Sequence, residues 1–210
     1  MLQTLFTVLL TGVLAAAVAC FAVIGAVRAW RTRALGGESR RMGFRFSAGD
    51  PFDVPRRYAD FALISSGHSR SAGNVGYGRM EGQLVRVFDF RYEVGHGTQR
   101  LTRYYKVILI ETSRPLPRVL MWHDADADAA PLQARPGEGH VACWSYHGNG
   151  EAASLLAETQ GLAHDVPACL EANATGLMVF LPASGPGCGA LSLEQCLAVA
   201  KALEGLVPRV

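Results

Sequence analysis

Residues Gly73–Glu111 read GNVGYGRMEGQLVRVFDFRYEVGHGTQRLTRYYKVILIE, and this stretch decides the fold of the chain. Apolar and polar residues alternate over Phe88–Val94, a pattern typical of a strand with one buried and one wet face. Glycines mark turns on either side of that strand, at Met80–Gln83 and Gly95–Arg100. The segment Val107–Ile110 is apolar on both faces and is expected to form the most buried strand. We therefore predict a β-meander.

Three local features qualify this prediction. The alternation changes phase near Val85–Val87, which indicates a β-bulge in the middle strand. The first strand of the meander is predicted to be short, Asn74–Arg79, because the composition of Ser66–Gly73 is typical of a loop. Before that loop, Arg56–Ser65 carries apolar residues near helical spacing and predicts a short helix over one end of the sheet.

After the meander, the pattern predicts two further strands, a helix, a hairpin and a final helix. These elements are placed at Arg118–His123, His140–His147, Glu151–Ala163, Val166–Leu181 and Ser192–Val207. An acidic loop is expected between the first two, and Ser192 with Gln195 forms a capping-box pattern at the start of the last. There is no long repeat and no βαβ alternation. The sequence predicts an α+β domain in which an antiparallel β-sheet has helices packed on one face.

The N-terminal segment Leu5–Val27 is uncharged and mostly apolar. As a helix it would be about 34 Å long, enough to cross the hydrocarbon layer of a membrane with some tilt. A cleaved signal peptide is the first alternative, but the chain has no basic residue before this segment. A lipoprotein signal ending at Cys20 is the second, but Phe21–Val27 stay apolar after the cysteine. The sequence favours a single uncleaved transmembrane helix.

Basic residues follow this helix at once and predict its orientation. Arg28, Arg31 and Arg33 lie on its C-terminal side, whereas the N-terminal side has no basic side chain. The positive-inside rule then places the N-terminus outside and the C-terminal domain in the cytoplasm, at a bacterial inner membrane. We predict membrane or lipid contacts for Arg28, Trp30, Arg31 and Arg33. Whether the arginines bind anionic lipid or only set the topology stays open, and both can hold.

These observations divide the chain into three parts. They are a transmembrane anchor at 1–27, a basic juxtamembrane linker at 28–49 with a flexible break at Gly36–Gly37, and a soluble domain at 50–210. The flank from Arg28 to Arg45 holds six arginines and one glutamate, so the rest of a chain of net charge +2 is net acidic. A nucleic-acid-binding domain would need a basic face of its own and is disfavoured. Small residues from Gly12 to Ala26 would allow a second helix to approach closely, so a homodimer through the membrane is a weaker prediction.

The residues that could carry chemistry form no recognised catalytic or metal-binding motif. His123 with Asp124, Asp126 and Asp128 resembles an EF-hand loop, but that loop would need a glycine where Ala129 stands and a glutamate where Arg135 stands. An acidic surface turn explains the cluster better. The five cysteines include no Cys-x-x-Cys pair. The serines of Ser65–Ser69 lack the G-x-S-x-G pattern of a hydrolase nucleophile. We predict no catalytic residue, no metal and no cofactor.

The meander resembles a domain of unknown function found in small bacterial proteins, often behind one or two N-terminal membrane helices. Asn74, Gly78 and Gly82, the run Phe88–Tyr92 and the Gly95-His96-Gly97 turn carry this resemblance, which extends over about residues 50–207. It implies a bacterial origin and an α+β fold, and it implies no activity, ligand or site.

Two functional hypotheses follow from the sequence. The first is a membrane-anchored cytoplasmic domain that acts as a non-enzymatic binding or regulatory module, with the bilayer and an unknown protein as partners. The second is a small-ligand receptor or enzyme whose site lies in the loops around His68, His96 and His123. Convergence of these three histidines in one pocket would favour the second hypothesis.

Overall fold

The computed structural model describes residues 2–123, 138–141, 144–159 and 169–182. Its helices are α1 (Leu2–Arg41), α2 (Val54–Arg57), α3 (Ala62–Ser65) and α4 (Gly150–Thr159). Its strands are β1 (Arg45–Ser47), β2 (His68–Met80), β3 (Gln83–Val94), β4 (Leu101–Glu111), β5 (Val119–His123), β6 (Gly139–Val141), β7 (Trp144–Gly148), β8 (Cys169–Asn173) and β9 (Gly176–Pro182). A 3₁₀ turn, Gly97–Gln99, lies between β3 and β4.

These nine strands form one sheet in the order β1-β2-β3-β4-β9-β8-β5-β7-β6. Every neighbouring pair is antiparallel. The meander occupies one half of the sheet, and the β8–β9 hairpin inserts between β4 and β5. The predicted α+β class with an antiparallel sheet is therefore confirmed, together with the hairpin whose turn lies between Asn173 and Gly176.

The sheet is covered on both faces. We call the face that carries Phe88, Phe90 and Tyr92 the front face and the opposite one the back face. The segment with α2 and α3 packs on the front face, and α4 packs on the back face beside Val119 and Met121. The prediction that helices pack on one face is therefore wrong. The central strand β4 explains why, because it is apolar on both faces and each face must be covered.

The strands of the meander lie where the sequence places them, with two differences. The first strand, β2, begins at His68 rather than Asn74, so most of the predicted loop Ser66–Gly73 is strand. The predicted bulge at Val85–Val87 is wrong, because β3 and β4 pair in continuous register from Leu84 to Val94. The irregularities lie in β2 instead, between His68 and Ser71 and between Gly73 and Gly76.

The phase change in β3 has another cause. Arg86 occupies a front-face position at which the pattern calls for an apolar residue, and it is buried there. The alternation thus continues through a buried arginine without an inserted residue.

The long helix α1 runs without interruption through Gly36 and Gly37. Its 40 residues correspond to about 60 Å. The flexible break expected at Gly36–Gly37 is therefore wrong. Gly36 packs against Phe46, and this contact supports the helix where a glycine alone would weaken it. Strand β1, within the predicted linker 28–49, adds to the sheet by pairing with β2.

The remaining elements agree in part with the sequence. The predicted strand His140–His147 is two strands, β6 and β7, which pair with each other. The predicted helix Arg56–Ser65 is the two short helices α2 and α3. The helix expected at Glu151–Ala163 is present as α4 over the part that the structure describes. The acidic loop after His123 and the predicted final helix Ser192–Val207 lie outside the described residues.

Candidate functional site

The helix α1 is joined to the sheet by a chain of polar side chains. The Thr32 hydroxyl donates to Asn74 Oδ1 across 3.2 Å. The amide of Asn74 donates from Nδ2 to Asp89 Oδ2 across 2.9 Å. Asp89 Oδ1 lies 3.4 Å from Lys106 Nζ. Asn74 has a φ of 51°, a left-handed conformation that asparagine tolerates better than most residues. The backbone irregularity of β2 therefore aims this amide between helix and strand.

Small residues bring the helix close to the sheet at the same junction. A side chain on Gly76 would lie 2.8 Å from Ser39 Oγ, and one on Gly78 would lie 2.6 Å from the ring of Phe44. Thr32, Ser39 and Phe44 thus lie over Asn74, Gly76 and Gly78 in the same order. The helix runs in the same direction as β2, and its C-terminal turns are seated on β1 and β2.

The N-terminal part of the same helix is apolar and uncovered. The segment Leu9–Ala26 is long and apolar enough to cross a membrane, and none of it is buried against the rest of the protein. Phe21, for example, is 76% exposed.

The predicted lipid-contact residues follow this segment within α1. They are Arg28, Trp30, Arg31 and Arg33. Arg33 is exposed, whereas the side chains of the other three lie outside what the structure describes. Their contact with lipid stays a prediction.

The three histidines of the second hypothesis are not brought together. The rings of His68 and His96 stack with centroids 5.3 Å apart. His123 ends β5, which lies five strand positions from β2, a separation of about 24 Å. Asp124, Asp126 and Asp128 lie outside the described residues. Within the part of the chain that the structure describes, no group of three or more His, Cys, Asp or Glu side chains is placed to hold a metal ion.

A buried arginine and a glutamate fasten the front-face helices to the meander. Arg86 Nη1 lies 2.6 Å from Glu111 Oε1, and the Tyr58 hydroxyl donates to the same oxygen. The guanidinium of Arg86 also lies over the ring of Phe52, 4.6 Å from its centroid. Burial, and then the hydrogen bond to Glu111, raise the pKa of the Tyr58 hydroxyl. This cluster holds α2 against β3 and β4.

A second buried acid holds α3. Glu171 in β8 is 3% exposed, and its carboxyl group accepts a hydrogen bond of 2.8 Å from the Ala62 backbone N–H. Burial raises the pKa of this carboxyl group to about 7, although the N–H groups of Ala62 and Leu63 and the charge of Arg118 oppose the shift. Because the acid is paired with the backbone of α3, its first role is to tie that helix to β8.

A cavity of about 870 Å³ opens beside Glu171. Its polar lining includes Arg118, His147 and Asn173. Asn173 is 6% exposed; its Oδ1 accepts from the Thr175 N–H, while its Nδ2 has no hydrogen-bond partner among the described residues. A concave site that is lined by the Glu171 carboxyl group and has an arginine at its rim has the chemistry to bind a small polar molecule.

Comparison with known proteins shows a likeness of fold. No protein-family model and no curated protein sequence matches the chain. The crystal structure of the mycobacterial trehalose monomycolate transport factor A, TtfA, is similar, with a TM-score of 0.56 and 14% sequence identity. The likeness covers 85% of this chain and 98% of that chain. At this identity it shows that the two proteins share a fold.

Sequence reasoning missed the residues that form the cavity and the buried clusters. A signal existed for two of them, since Arg86 and Glu171 each occupy an apolar position within a buried strand. A charge at such a position predicts a buried partner, because an unpaired buried charge is costly. The partners themselves, Glu111 and the backbone of Ala62, lie far away along the chain and have no local signal.

Proposed function

We propose that the protein is a membrane-anchored, non-enzymatic module that holds its α+β domain in a fixed orientation at a membrane and presents it to a protein partner. The observation that carries this proposal is the continuity of α1. Its segment Leu9–Ala26 is apolar and uncovered, and its turns from Thr32 onward are docked on the sheet. A flexible tether would hold the domain near the membrane, whereas a docked continuous helix also fixes how the domain faces it.

The orientation that we propose follows the arginines. Arg28, Arg31, Arg33, Arg40 and Arg41 all lie in α1 after the apolar segment. They favour the cytoplasmic side of a bacterial inner membrane for the domain. A topology reporter fused after Val210 tests this. We expect fluorescence from a fused green fluorescent protein and no activity from a fused alkaline phosphatase, and the reverse pattern would overturn the cytoplasmic placement.

We favour a partner that takes part in membrane transport. TtfA, which shares the fold, is a trehalose monomycolate transport factor, and we extend a role in transport in general form to this chain. The module would belong to an assembly that moves a lipid or glycolipid. The acidic side chains that face the front-face helices support a role without catalysis, because Glu111 accepts from Tyr58 and Glu171 accepts from the backbone of Ala62.

The partner proposal is tested with the full chain in mild detergent. We expect a membrane protein to co-purify with it in constant proportion. The matched control replaces residues 2–41 with an unrelated transmembrane helix followed by a flexible glycine-serine linker, which keeps the anchor and removes the docking. We expect this control to stay in the membrane and to lose the partner. Recovery of the natural chain alone would contradict the proposal, and equal recovery of the partner by both chains would contradict the need for a fixed orientation.

A small-ligand receptor is the second candidate function, favoured by the cavity beside Glu171 and by its polar lining, which includes Arg118 and His147. A fragment screen by thermal unfolding tests it. We expect binding fragments to raise the Tm of the natural chain and of Arg114→Gln, an exposed position outside the cavity lining, and to lose their effect on Arg118→Gln at the rim. Fragments that act equally on both variants, or no active fragment, would count against this site.

A further inference from the structure

One end of the sheet points toward the apolar part of α1. Thr32, Ser39 and Phe44 follow Asn74, Gly76 and Gly78 in the same direction. The N-terminal part of α1 therefore leaves the domain past the N-terminal end of β2. The end of β3, the start of β4 and the loop between them lie at this same end, because the three strands pair antiparallel. We call residues 68–71 and 91–104 the proximal edge.

The proximal edge reaches the level at which the apolar segment ends. From Ala26 to Thr32 the helix advances about 9 Å. From Asn74 back to His68 the strand advances about 20 Å. The edge therefore extends as far toward the membrane as Ala26 for any angle between helix and strand up to about 60°, so a chain inserted through α1 carries this edge to the bilayer surface.

The proximal edge is basic. It holds four arginines, Arg70, Arg91, Arg100 and Arg103, and one acid, Glu93. Glu93 lies 3.4 Å from Arg100. Arg70 donates to the backbone oxygen of Ile64 and Arg91 to the hydroxyl of Ser71, so neither of these two pairs with an acid in the described part of the chain. A positive charge is left on an edge of a domain that is otherwise net acidic.

The same edge exposes two large apolar side chains. Leu101 is 53% exposed and Tyr104 is 48% exposed, and the whole loop Gly95–Arg100 is exposed. Tyrosine and arginine together suit the interface between lipid headgroups and water, because each has an apolar body and a polar end.

We propose that the proximal edge is a second membrane-contact surface, which rests on anionic phospholipid. Two observations point to anionic phospholipid. The basic side chains of the proximal edge are attracted to an anionic leaflet, and the edge adjoins the uncovered apolar part of α1. The inference rests on the proposed membrane insertion of α1. It adds that the domain lies against the lipid, with its opposite end, near Met42 and the β2–β3 turn, turned away from the membrane.

Photocrosslinking to lipid tests the contact in the full chain. Benzoylphenylalanine is placed at Leu101, at Phe21 or at Met42, which is 49% exposed at the far end of α1. Each chain is reconstituted into nanodiscs of phosphatidylcholine, with or without phosphatidylglycerol. We expect lipid adducts at position 21 in both lipid mixtures, adducts at position 101 that increase with phosphatidylglycerol, and none at position 42. The three positions are well exposed, so access to the probe does not explain a difference.

The outcomes separate this inference from the anchoring on which it rests. No adduct at position 21 would overturn the proposed membrane helix. Adducts at 21 without adducts at 101, or equal yields at 101 and 42, would overturn the contact alone.

Charge removal tests the anionic lipid itself. We expect Arg91→Gln to lower the adduct yield at position 101 by about fivefold in the anionic nanodiscs, the attraction of one arginine near a charged surface. Arg114→Gln, which removes an exposed arginine outside the proximal edge, is expected to leave the yield unchanged. Equal yields from the two variants would overturn the role of charge. Circular dichroism of both variants checks that the fold is kept.

Discussion

Thr32 in α1 donates its hydroxyl hydrogen to the side-chain oxygen of Asn74 in β2, across 3.2 Å. The Nδ2 group of Asn74 in turn donates to a carboxylate oxygen of Asp89 in β3. One amide therefore joins the helix to two strands, and it does so from a left-handed backbone position that also marks the irregularity of β2. The Asn74 side chain is thus a polar link between anchor and domain, beside the packing of Ser39 and Phe44 on the glycines of β2.

We expect Asn74→Gly to loosen the helix without disturbing the sheet. Glycine accepts the φ of 51° and removes both side-chain hydrogen bonds, each worth about 1 kcal/mol. Of these two bonds only the one from Thr32 holds the helix, so local opening of the C-terminal turns of α1 should become about fivefold more frequent. Hydrogen exchange of the full chain in detergent, followed by mass spectrometry, measures this as faster exchange before Arg41 and unchanged exchange in β4.

The matched control for that variant is Glu81→Gly. Glu81 has the same φ of 51° and lies in the β2–β3 turn, away from α1. It separates the loss of the amide from the general effect of a glycine at a left-handed position. If both variants speed exchange in α1 equally, the Asn74 amide does not hold the helix.

Two adjacent glycines in α1 should respond in opposite ways to leucine. Gly37 has no atom within 4 Å of the position of an added Cβ, whereas at Gly36 that Cβ would lie 3.1 Å from the Phe46 ring. Gly37→Leu should stabilise the protein by up to about 1 kcal/mol through helix propensity. Gly36→Leu should destabilise it by about 1–3 kcal/mol because the helix must move off the sheet. Urea unfolding of both variants measures the difference, and equal stabilities would contradict the close packing of α1.

The meander could be predicted from the sequence because its signals are local. The signals are the alternation in β3 and the glycines of its two turns, which can be recognised from neighbours along the chain. The predicted strands are present as β2, β3 and β4. The same reliance on local signals puts the predicted start of β2 at Asn74 rather than His68. The serines and glycines of Ser66–Gly73 are typical of a loop, but pairing with β3 makes them strand, and tertiary pairing overrides weak local preference.

The order of the strands and the buried clusters could not be predicted in this way. Insertion of β8 and β9 between β4 and β5 joins residues that are distant along the chain, and no periodicity encodes it. The partnership of Arg86 with Glu111 and that of Glu171 with Ala62 arise only after this arrangement. The prediction of a flexible break at Gly36–Gly37 is wrong because a contact with Phe46 compensates for the weak helix propensity of glycine.

Loss of the buried arginine should cost more than loss of an exposed one. Arg86→Met leaves Glu111, whose side chain is 16% exposed, with the half-exposed Arg57, 3.5 Å away, as its remaining charged partner. Leaving a buried charge with no partner costs about 3–5 kcal/mol, and because Arg57 stays beside Glu111 we expect a loss at or below about 3 kcal/mol. The control Arg79→Met removes an exposed arginine that donates to the backbone oxygen of Gly82, and it should change the stability by about 0.5 kcal/mol or less. Urea unfolding of the full chain in detergent measures both.

A second substitution separates charge from packing at this cluster. In the Arg86→Met/Glu111→Gln double variant the amide oxygen still accepts from Tyr58, but no buried charge remains. We expect the double variant to be more stable than Arg86→Met alone, since the stranded charge is the main cost. A double variant that is less stable by the sum of the two single effects would show that Arg86 acts through packing alone.

The buried acid in β8 should make the stability depend on pH in a specific direction. Burial raises the pKa of Glu171 from 4.5 to about 7 in the folded protein. Between these values the folded state binds more protons than the unfolded state, so its stability falls as the pH rises through this window and levels off above it. The fall should be of the order of 3 kcal/mol, because each pKa unit corresponds to about 1.4 kcal/mol.

Glu171→Gln should remove that fall, because an amide stays neutral throughout. The unfolding free energy of this variant, minus that of the natural chain, should therefore increase from pH 5 to pH 8. Other titrating groups contribute equally to both proteins and cancel in the difference. Glu151→Gln, at an exposed position at the start of α4, controls for the loss of one acid and should show no such shift. A constant difference for Glu171→Gln across the range would mean that the carboxyl group is already ionised at pH 5, with the N–H groups of Ala62 and Leu63 outweighing the effect of burial.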